Sequence, residues 1–274
     1  MNSNQDVGIA VSGYREFRPH RAVAEYLLCF WTQTVHPSSE LAQRVLPDCC
    51  VDIILMNGVP MVIGPWTESF VANLPPGTNI LGARCHPGLA SGLLGIPASE
   101  LLNQSVPLSE VWGSTEAARF AGIADEATLL ARMLAMEAAL IRRMADSRPI
   151  DRAIRAAIRW IAQHPNGRVE QLSEWLGTSS RQLQRRFLVS AGYGPKMFQS
   201  VLRFQRLLND ARRSGTCRTL ADLAAHAGYS DQAHMTREVQ RFAGCSPAML
   251  LRSVSSTLSM SDLFKTGAPR SNYC

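Results

Sequence analysis

A degenerate repeat near the C-terminus constrains this chain more than any other feature. Residues 169–177 (VEQLSEWLG) followed by 179–187 (SSRQLQRRF) recur as 220–228 (LADLAAHAG) followed by 230–239 (SDQAHMTREV). Each copy reads as a short apolar helix, a turn and a polar, basic helix, the grammar of a helix-turn-helix. In the first copy Val169, Leu172 and Leu176 step by three and four and bury one face of the leading helix. Gly177 permits the left-handed turn that follows, and Leu183 and Phe187 dock the second helix. Leu220, Leu223, Ala227, Gly228, Met235 and Val239 are their equivalents in the second copy. All of these are core residues and none is expected to touch a ligand.

The residues left on the outer faces carry the chemistry. Ser180, Arg181, Gln184 and Arg185 lie near the start of the first copy's second helix, the part that enters a DNA major groove. Arginine reads guanine O6 and N7, and glutamine reads adenine N6 and N7, by paired hydrogen bonds. Gly192 matches Gly244 and Pro195 matches Pro247, so Arg181, Gln184 and Arg185 correspond to Ala233, Thr236 and Arg237, with Gln232 and His234 beside them.

Charge follows the same division. Residues 150–252 hold 16 Lys+Arg against 7 Asp+Glu, whereas residues 1–149 hold 10 against 14, so the positive field sits on the repeat, where a polyanion partner requires it. Of the 28 basic residues only Lys196 and Lys265 are lysines. That bias suits phosphate and guanine recognition, and a GC-rich genome produces it as well.

The first half reads differently. Residues 26–31, 51–56, 61–63 and 70–74 are short apolar runs punctuated by Pro47-Asp48, Asn57-Gly58, Gly64-Pro65 and Pro75-Pro76-Gly77, which is a strand-and-turn pattern. Asn57-Gly58 between 51–56 and 59–63 is the strongest hairpin signal. Residues 116–145 then lack proline and are rich in helix formers. Leu129, Met133, Met136, Leu140 and Met144 trace one apolar face with Leu130, Leu134 and Ile141 beside it, a stripe that serves either its own domain's core or a homodimer seam. Ile150, Ile154, Ile158 and Ile161 open the third region, and residues 195–213 form a helix bridging the two repeats.

The expected architecture is therefore two-domain. A mostly β, cupin-like α+β sensor domain spans 1–114, a helical connector or dimerisation segment 115–148, an all-α double helix-turn-helix domain 149–253, and a flexible tail 254–274. No apolar stretch approaches the ~20 residues of a membrane span and the N-terminus is polar, so a cytoplasmic protein is expected. Seven scattered cysteines read as reduced thiols.

Residues 150–252 resemble the AraC/XylS family of bacterial transcription regulators. The resemblance is carried by 221–247 (ADLAAHAGYSDQAHMTREVQRFAGCSP), with Arg206-Leu207 and Ala211 in the bridging helix. Ala233 stands where serine is usual, and Met235 and Val239 where phenylalanine is usual. The resemblance implies a seven-helix domain, promoter-specific regulation and contact with RNA polymerase. The first half resembles the sensor-like domain paired with such readers, through 45–52, 64–67, 82–88, 94–101 and 106–113, except that Cys49 replaces an expected glycine and Cys85 an expected aromatic residue.

Asp48, Asp52, Trp66 and Arg84 are the candidate effector-binding residues, polar groups among apolar strands; the two aspartates and the arginine also suit a structural ion pair. Cys49, Cys50 and Cys85 with His86 raise an alternative, a cysteine alkyl acceptor or a redox or metal sensor fused to the same reader. Against it, the spacing fits no zinc pattern and adjacent strand residues face opposite ways. No nucleophile elbow, phosphate loop or clustered histidines appear, so neither an enzyme nor a bound cofactor or metal is expected.

Overall fold

A computed structural model describes residues 13–147, 149–214 and 219–256. The first half is built on an antiparallel sheet. Its strands are β1 (Gly13–Phe17), β2 (Leu27–Thr34), β4 (Asp52–Met56), β5 (Val59–Ile63), β7 (Asn79–Cys85) and β8 (Ser105–Pro107), in the order β1-β2-β7-β4-β5-β8. The remaining strands, β3 (Leu41–Val45) and β6 (Phe70–Leu74), pair as a separate ribbon. Asn57 (φ 49°) and Gly58 (φ 82°) close the β4–β5 hairpin where two successive left-handed residues are needed.

Strand alternation gives the six-stranded sheet two unlike faces. Ile53, Leu55, Val62, Leu81, Ala83 and Cys85 point to one side and form a wholly apolar layer with the helices that follow. Those helices are α1 (Ala90–Leu94), α2 (Leu108–Trp112), α3 (Ser114–Ala121) and α4 (Leu129–Ala145). The opposite face carries Tyr14, Cys29, Trp31, Ile54 and Ile80, and these residues are continuous with the core of the second half.

The proline-free segment 116–145 is not one helix. A 3-10 turn at Gly122–Asp125 separates α3 from α4, and Thr128 caps α4 by accepting from the Ala131 amide at 3.1 Å. Met136 and Leu140 are fully buried against the sheet, whereas Leu130 (66% exposed), Leu134 (58%) and Ile141 (41%) form a row on the outer surface. The stripe read in the sequence thus divides at Met136 and Leu140, since Leu129 at its start is as exposed as Ile141.

The second half is helical: α5 (Arg152–Gln163), α6 (Val169–Trp175), α7 (Ser180–Ala191), α8 (Pro195–Ser214), α9 (Leu220–Ala227), α10 (Gln232–Ala243) and α11 (Pro247–Ser256). The glycine expected to cap α8 at 215 lies outside the described residues, as does the expected flexible tail (254–274) except for its first three residues, which belong to α11. Among the described residues no helix is long and apolar enough to cross a membrane.

The two halves share a core rather than meeting at a wet boundary. Gln205 on α8 donates its side-chain amide to the Pro47 carbonyl at 2.5 Å, Arg44 on β3 donates to the Ala243 carbonyl at the end of α10, and Arg155 on α5 pairs with Glu25 at 2.6 Å. Gly192, which ends α7, has φ +87°, and a side chain there would come within 2.9 Å of Pro65 Cγ and 3.0 Å of the Ala98 carbonyl. Only glycine meets both demands.

Candidate nucleic-acid interface

The repeat folds as two helix-turn-helix units, α6–α7 and α9–α10, with α8 between them. Ser179 caps α7 in a reciprocal box with Gln182, and Thr219 does the same for α9 with Asp222. Asp231 caps α10 by accepting from the His234 amide, and that bond, with a second from Ser230, holds its carboxyl below the usual range. Leu183 and Phe187 on α7, and Met235, Val239 and Phe242 on α10, are fully buried, as the repeat requires. The apolar substitutes Met235 and Val239 thus fill the core where phenylalanine is usual.

Behind the reading helices α8 acts as a brace. Phe198 meets Phe187 edge-on at 5.5 Å, and Phe204 packs on Phe242 at 5.3 Å, so each reading helix is held by its own aromatic contact. Arg203 pairs with Glu238 of α10 at 3.1 Å, lies over the Tyr229 ring at 5.6 Å and reaches the Pro165 carbonyl at 3.3 Å. One side chain of α8 therefore fixes the second unit relative to the loop that enters the first. Sequence reasoning missed this brace, because Arg203, Tyr229 and Glu238 lie in different elements.

Ser180, Arg181, Gln184, Arg185, Gln232, Thr236 and Arg237 are all exposed; His234 is half-buried. They differ in how free they are. Ser180 lies 3.1 Å from Ser173 and ties α6 to α7. Thr236 donates to the Gln232 carbonyl at 2.8 Å within its own helix. His234 contacts Ser230 at 3.1 Å and Glu238 at 3.6 Å, and meets Tyr229 edge-on. Next to Arg185, Arg186 is tethered by two bonds, 2.9 and 3.0 Å, to Asp151, which also caps α5. The tether was invisible in sequence, since 35 positions separate the pair.

The other edge of α7 faces the first domain. A groove of about 380 Å³ runs between α1 with its following loop and α7, and its lining includes Ser91, Pro97, Asp151, Arg185, Arg186 and Val189. Arg185 thus borders both the exposed outer face of α7 and the domain junction.

The candidate effector residues divide. Arg84 is buried and bidentate to Asp52, 2.9 Å on each arm, with Asp48 at 3.8 Å and the Trp31 ring 5.9 Å below. Burial works against the guanidinium charge, yet Asp52 and Asp48 outweigh it and hold its pKa up. Asp48 is pushed up by burial, against the pull of Arg84. Trp66 instead packs on Phe70, their rings 4.1 Å apart and tilted by 36°.

The thiol chemistry behind the alternative reading is not supported. Cys29, Cys49, Cys50 and Cys85 are buried, and burial raises every one of these thiols, Cys29 to about 12. An alkyl acceptor or redox sensor needs an accessible thiolate, the opposite of this setting. Among the described residues no three His, Cys, Asp or Glu side chains are grouped to hold a metal ion.

Residues 172–253 match the family described as a helix-turn-helix domain, and residues 15–107 match a domain of unknown function, DUF6597. No curated protein matches the chain. Among solved structures, ToxT from Vibrio cholerae O395 is similar with a TM-score of 0.45 at 8% identity, covering 83% of this chain and 99% of that one. Unsaturated-fatty-acid-bound ToxT from Vibrio cholerae strain SCE256 gives 0.42 at 10%, covering 82% and 95%. The AraC-like transcriptional activator CuxR gives 0.23 at 14%, covering 72% and 85%. With two capped, braced helix-turn-helix units in register and a matching helix-turn-helix domain over residues 172–253, the chain is a DNA-binding transcription regulator that carries this domain behind a mostly β N-terminal domain.

Proposed function

We propose that this regulator reads promoter DNA chiefly with α7 and that its N-terminal domain, responding to an effector, controls that helix directly. The observation that carries this is the position of α7, which exposes Arg181, Gln184 and Arg185 on one side and packs its end on Pro65 and Ala98 on the other. Its two arginine forks and one amide can each form paired hydrogen bonds to a base, worth ~1–3 kcal/mol of discrimination apiece. At the matching places α10 offers Ala233, a Thr236 hydroxyl turned to its own backbone, and Arg237. Gln232, Arg237 and the lesser contacts Ser180 and His234 position the duplex.

The regulator acts in the cytoplasm with RNA polymerase as its protein partner, and no enzymatic step is assigned to it. A second copy docks along the exposed row Leu130, Leu134 and Ile141 of α4. The cluster of Asp48, Asp52 and Arg84 supports a structural role better than an effector site, because its charges are directed at one another.

The test is binding of the full chain to a randomised operator library. Arg185→Ala relaxes preference at one or two base pairs, whereas Arg237→Ala loses comparable affinity with less loss of preference and a shallower salt dependence. Equal loss of preference in the two variants, or salt-independent binding, contradicts the reading.

A further inference from the structure

The turns of the two helix-turn-helix units differ in what lies against them. Gly177, the turn residue of the first unit, has φ +61° and no described atom within 4 Å of where a side chain would begin. Gly228, its counterpart in the second unit, has φ +92° and is covered by the loop that joins α5 to α6. A side chain there would come within 2.6 Å of Pro165 Cβ and 3.1 Å of Asn166 Oδ1. The loop leading into the first unit therefore rests on the turn of the second.

That loop is held on its other sides as well. Three of its carbonyls converge on the buried Gln199 of α8, whose side-chain amide donates to Gly167 at 2.8 Å and Pro165 at 3.0 Å and lies 3.4 Å from the His164 oxygen. Arg203, one turn further along α8, donates to the Pro165 carbonyl too. From α5, Trp160 stacks on His164 at 4.4 Å, and Gly167 lies so close to the same ring that a side chain would meet it at 2.3 Å. Buried carbonyls need donors, and a single side chain meeting three of them sets the path of the loop.

Two links resist a rotation that one allows. The helix α8 joins the units once, and the loop joins them again, from the entry of the first unit to Gly228 of the second. We propose that Gln199 is a positioning residue: by seating residues 164–167 on Gly228 it fixes the spacing of α7 and α10, and hence the number of base pairs an operator must place between the two stretches they read. The inference rests on the proposed promoter reading, in which both helices meet one duplex. An added base pair moves a stretch by about 3.4 Å along the axis and turns it by roughly 35°, a step that two rigidly joined helices do not follow. The lock acts where the first unit begins, which leaves the tilt of α7 to the contact of Gly192 with the N-terminal domain.

The test uses the full-length protein on duplex libraries. Selection from a random library yields the operator, and a second library changes the number of base pairs between its two stretches. The parent prefers one spacing, and inserting or deleting one base pair weakens binding about tenfold or more, the scale of a lost base contact. Gln199→Met keeps the length of the side chain and removes the donor, while Gly228→Ala pushes the loop off its seat from the other side. Each variant binds the parent spacing and its two neighbours within about threefold of one another. Gly177→Ala carries the same left-handed strain with no loop to displace, so it keeps the parent's sharp preference and separates spacing from stability. Thermal melts establish that the variants are folded. A parent that tolerates a one-base-pair change, a preference kept in folded Gln199→Met and Gly228→Ala, or equal broadening in Gly177→Ala overturns the proposal. A parent that selects only one stretch of sequence refutes the two-helix reading and this inference with it, whereas two stretches at a spacing that the variants keep refute this inference alone.

Discussion

Replacing Arg84 by methionine tests whether the buried ion cluster stabilises the first domain or stands ready for a ligand. The substitution keeps the volume of the side-chain stem and removes the charge, stranding Asp48 and Asp52 on the inner face of the sheet. Breaking a buried pair by removing one partner costs about 3–5 kcal/mol. Proton uptake sets a ceiling, because neutralising a carboxylate of ordinary pKa near 3.9 at pH 7 costs about 4 kcal/mol. Asp48 is already raised by burial in spite of Arg84, and losing the arginine raises it further. A carboxyl whose native pKa lies above its unfolded value binds more protons when folded, so its penalty grows as pH rises through that window and shrinks as pH falls. Arg84→Met is therefore expected to lose about 4 kcal/mol at pH 7, recovering ~1.4 kcal/mol for each unit toward pH 5. Urea unfolding of both proteins at several pH values, followed by tryptophan fluorescence, measures it. A loss below about 1 kcal/mol at pH 7, or a difference that does not shrink on acidification, refutes the reasoning.

Three further substitutions probe the junction. Cys49 has φ 66° and is buried, so Cys49→Gly relieves ~1–2 kcal/mol of left-handed strain while losing a similar amount of burial; its melting temperature should stay near the parent's, whereas Cys49→Val should fall well below it. Gln205→Leu leaves the Pro47 carbonyl without its donor and should cost about 1–3 kcal/mol in urea unfolding. Gly192→Ala meets both the positive φ and the backbone of Ala98, and calorimetry should show a loss larger than the ~1 kcal/mol of an unobstructed left-handed alanine.

The parts of this fold legible in the sequence are those that repeat or alternate. The paired helix-turn-helix units, the Asn57-Gly58 hairpin and the brace helix each leave a local period or a turn residue with a steric reason. Cys49 is instructive in the other direction: the expectation of glycine there came from resemblance, and its physical cause is a left-handed backbone that the cysteine also occupies. What stayed hidden depends on long-range pairing. β7 runs NILGARC, with glycine and arginine interrupting its apolar residues, yet it is the central strand because Gly82 lies beneath Trp31 and Arg84 meets Asp52 across the ladder. Trp66 meets Phe70 only four residues on, whereas the pairing of Arg84 with Asp52 spans 32 positions and needs the strand register that the fold supplies.

The two reading helices are held unequally, and this has a consequence for control. α7 ends on Pro65 and Ala98 and borders a groove shared with α1, whereas α10 is joined to the first domain through Arg44 at its terminal carbonyl. The helix to which most of the proposed base contacts are assigned is thus the one the N-terminal domain holds more closely. Phosphate contacts supply affinity without sequence information, while base contacts supply preference. Under the proposed reading, a signal that shifts the first domain against α7 therefore changes which sequence is chosen more than how strongly any duplex is held. The second unit is tied less directly: Arg203 and Glu238 hold α10 on α8, and α8 meets the first domain through Gln205 at Pro47, so under the proposed reading α10 anchors the duplex while α7 is adjusted.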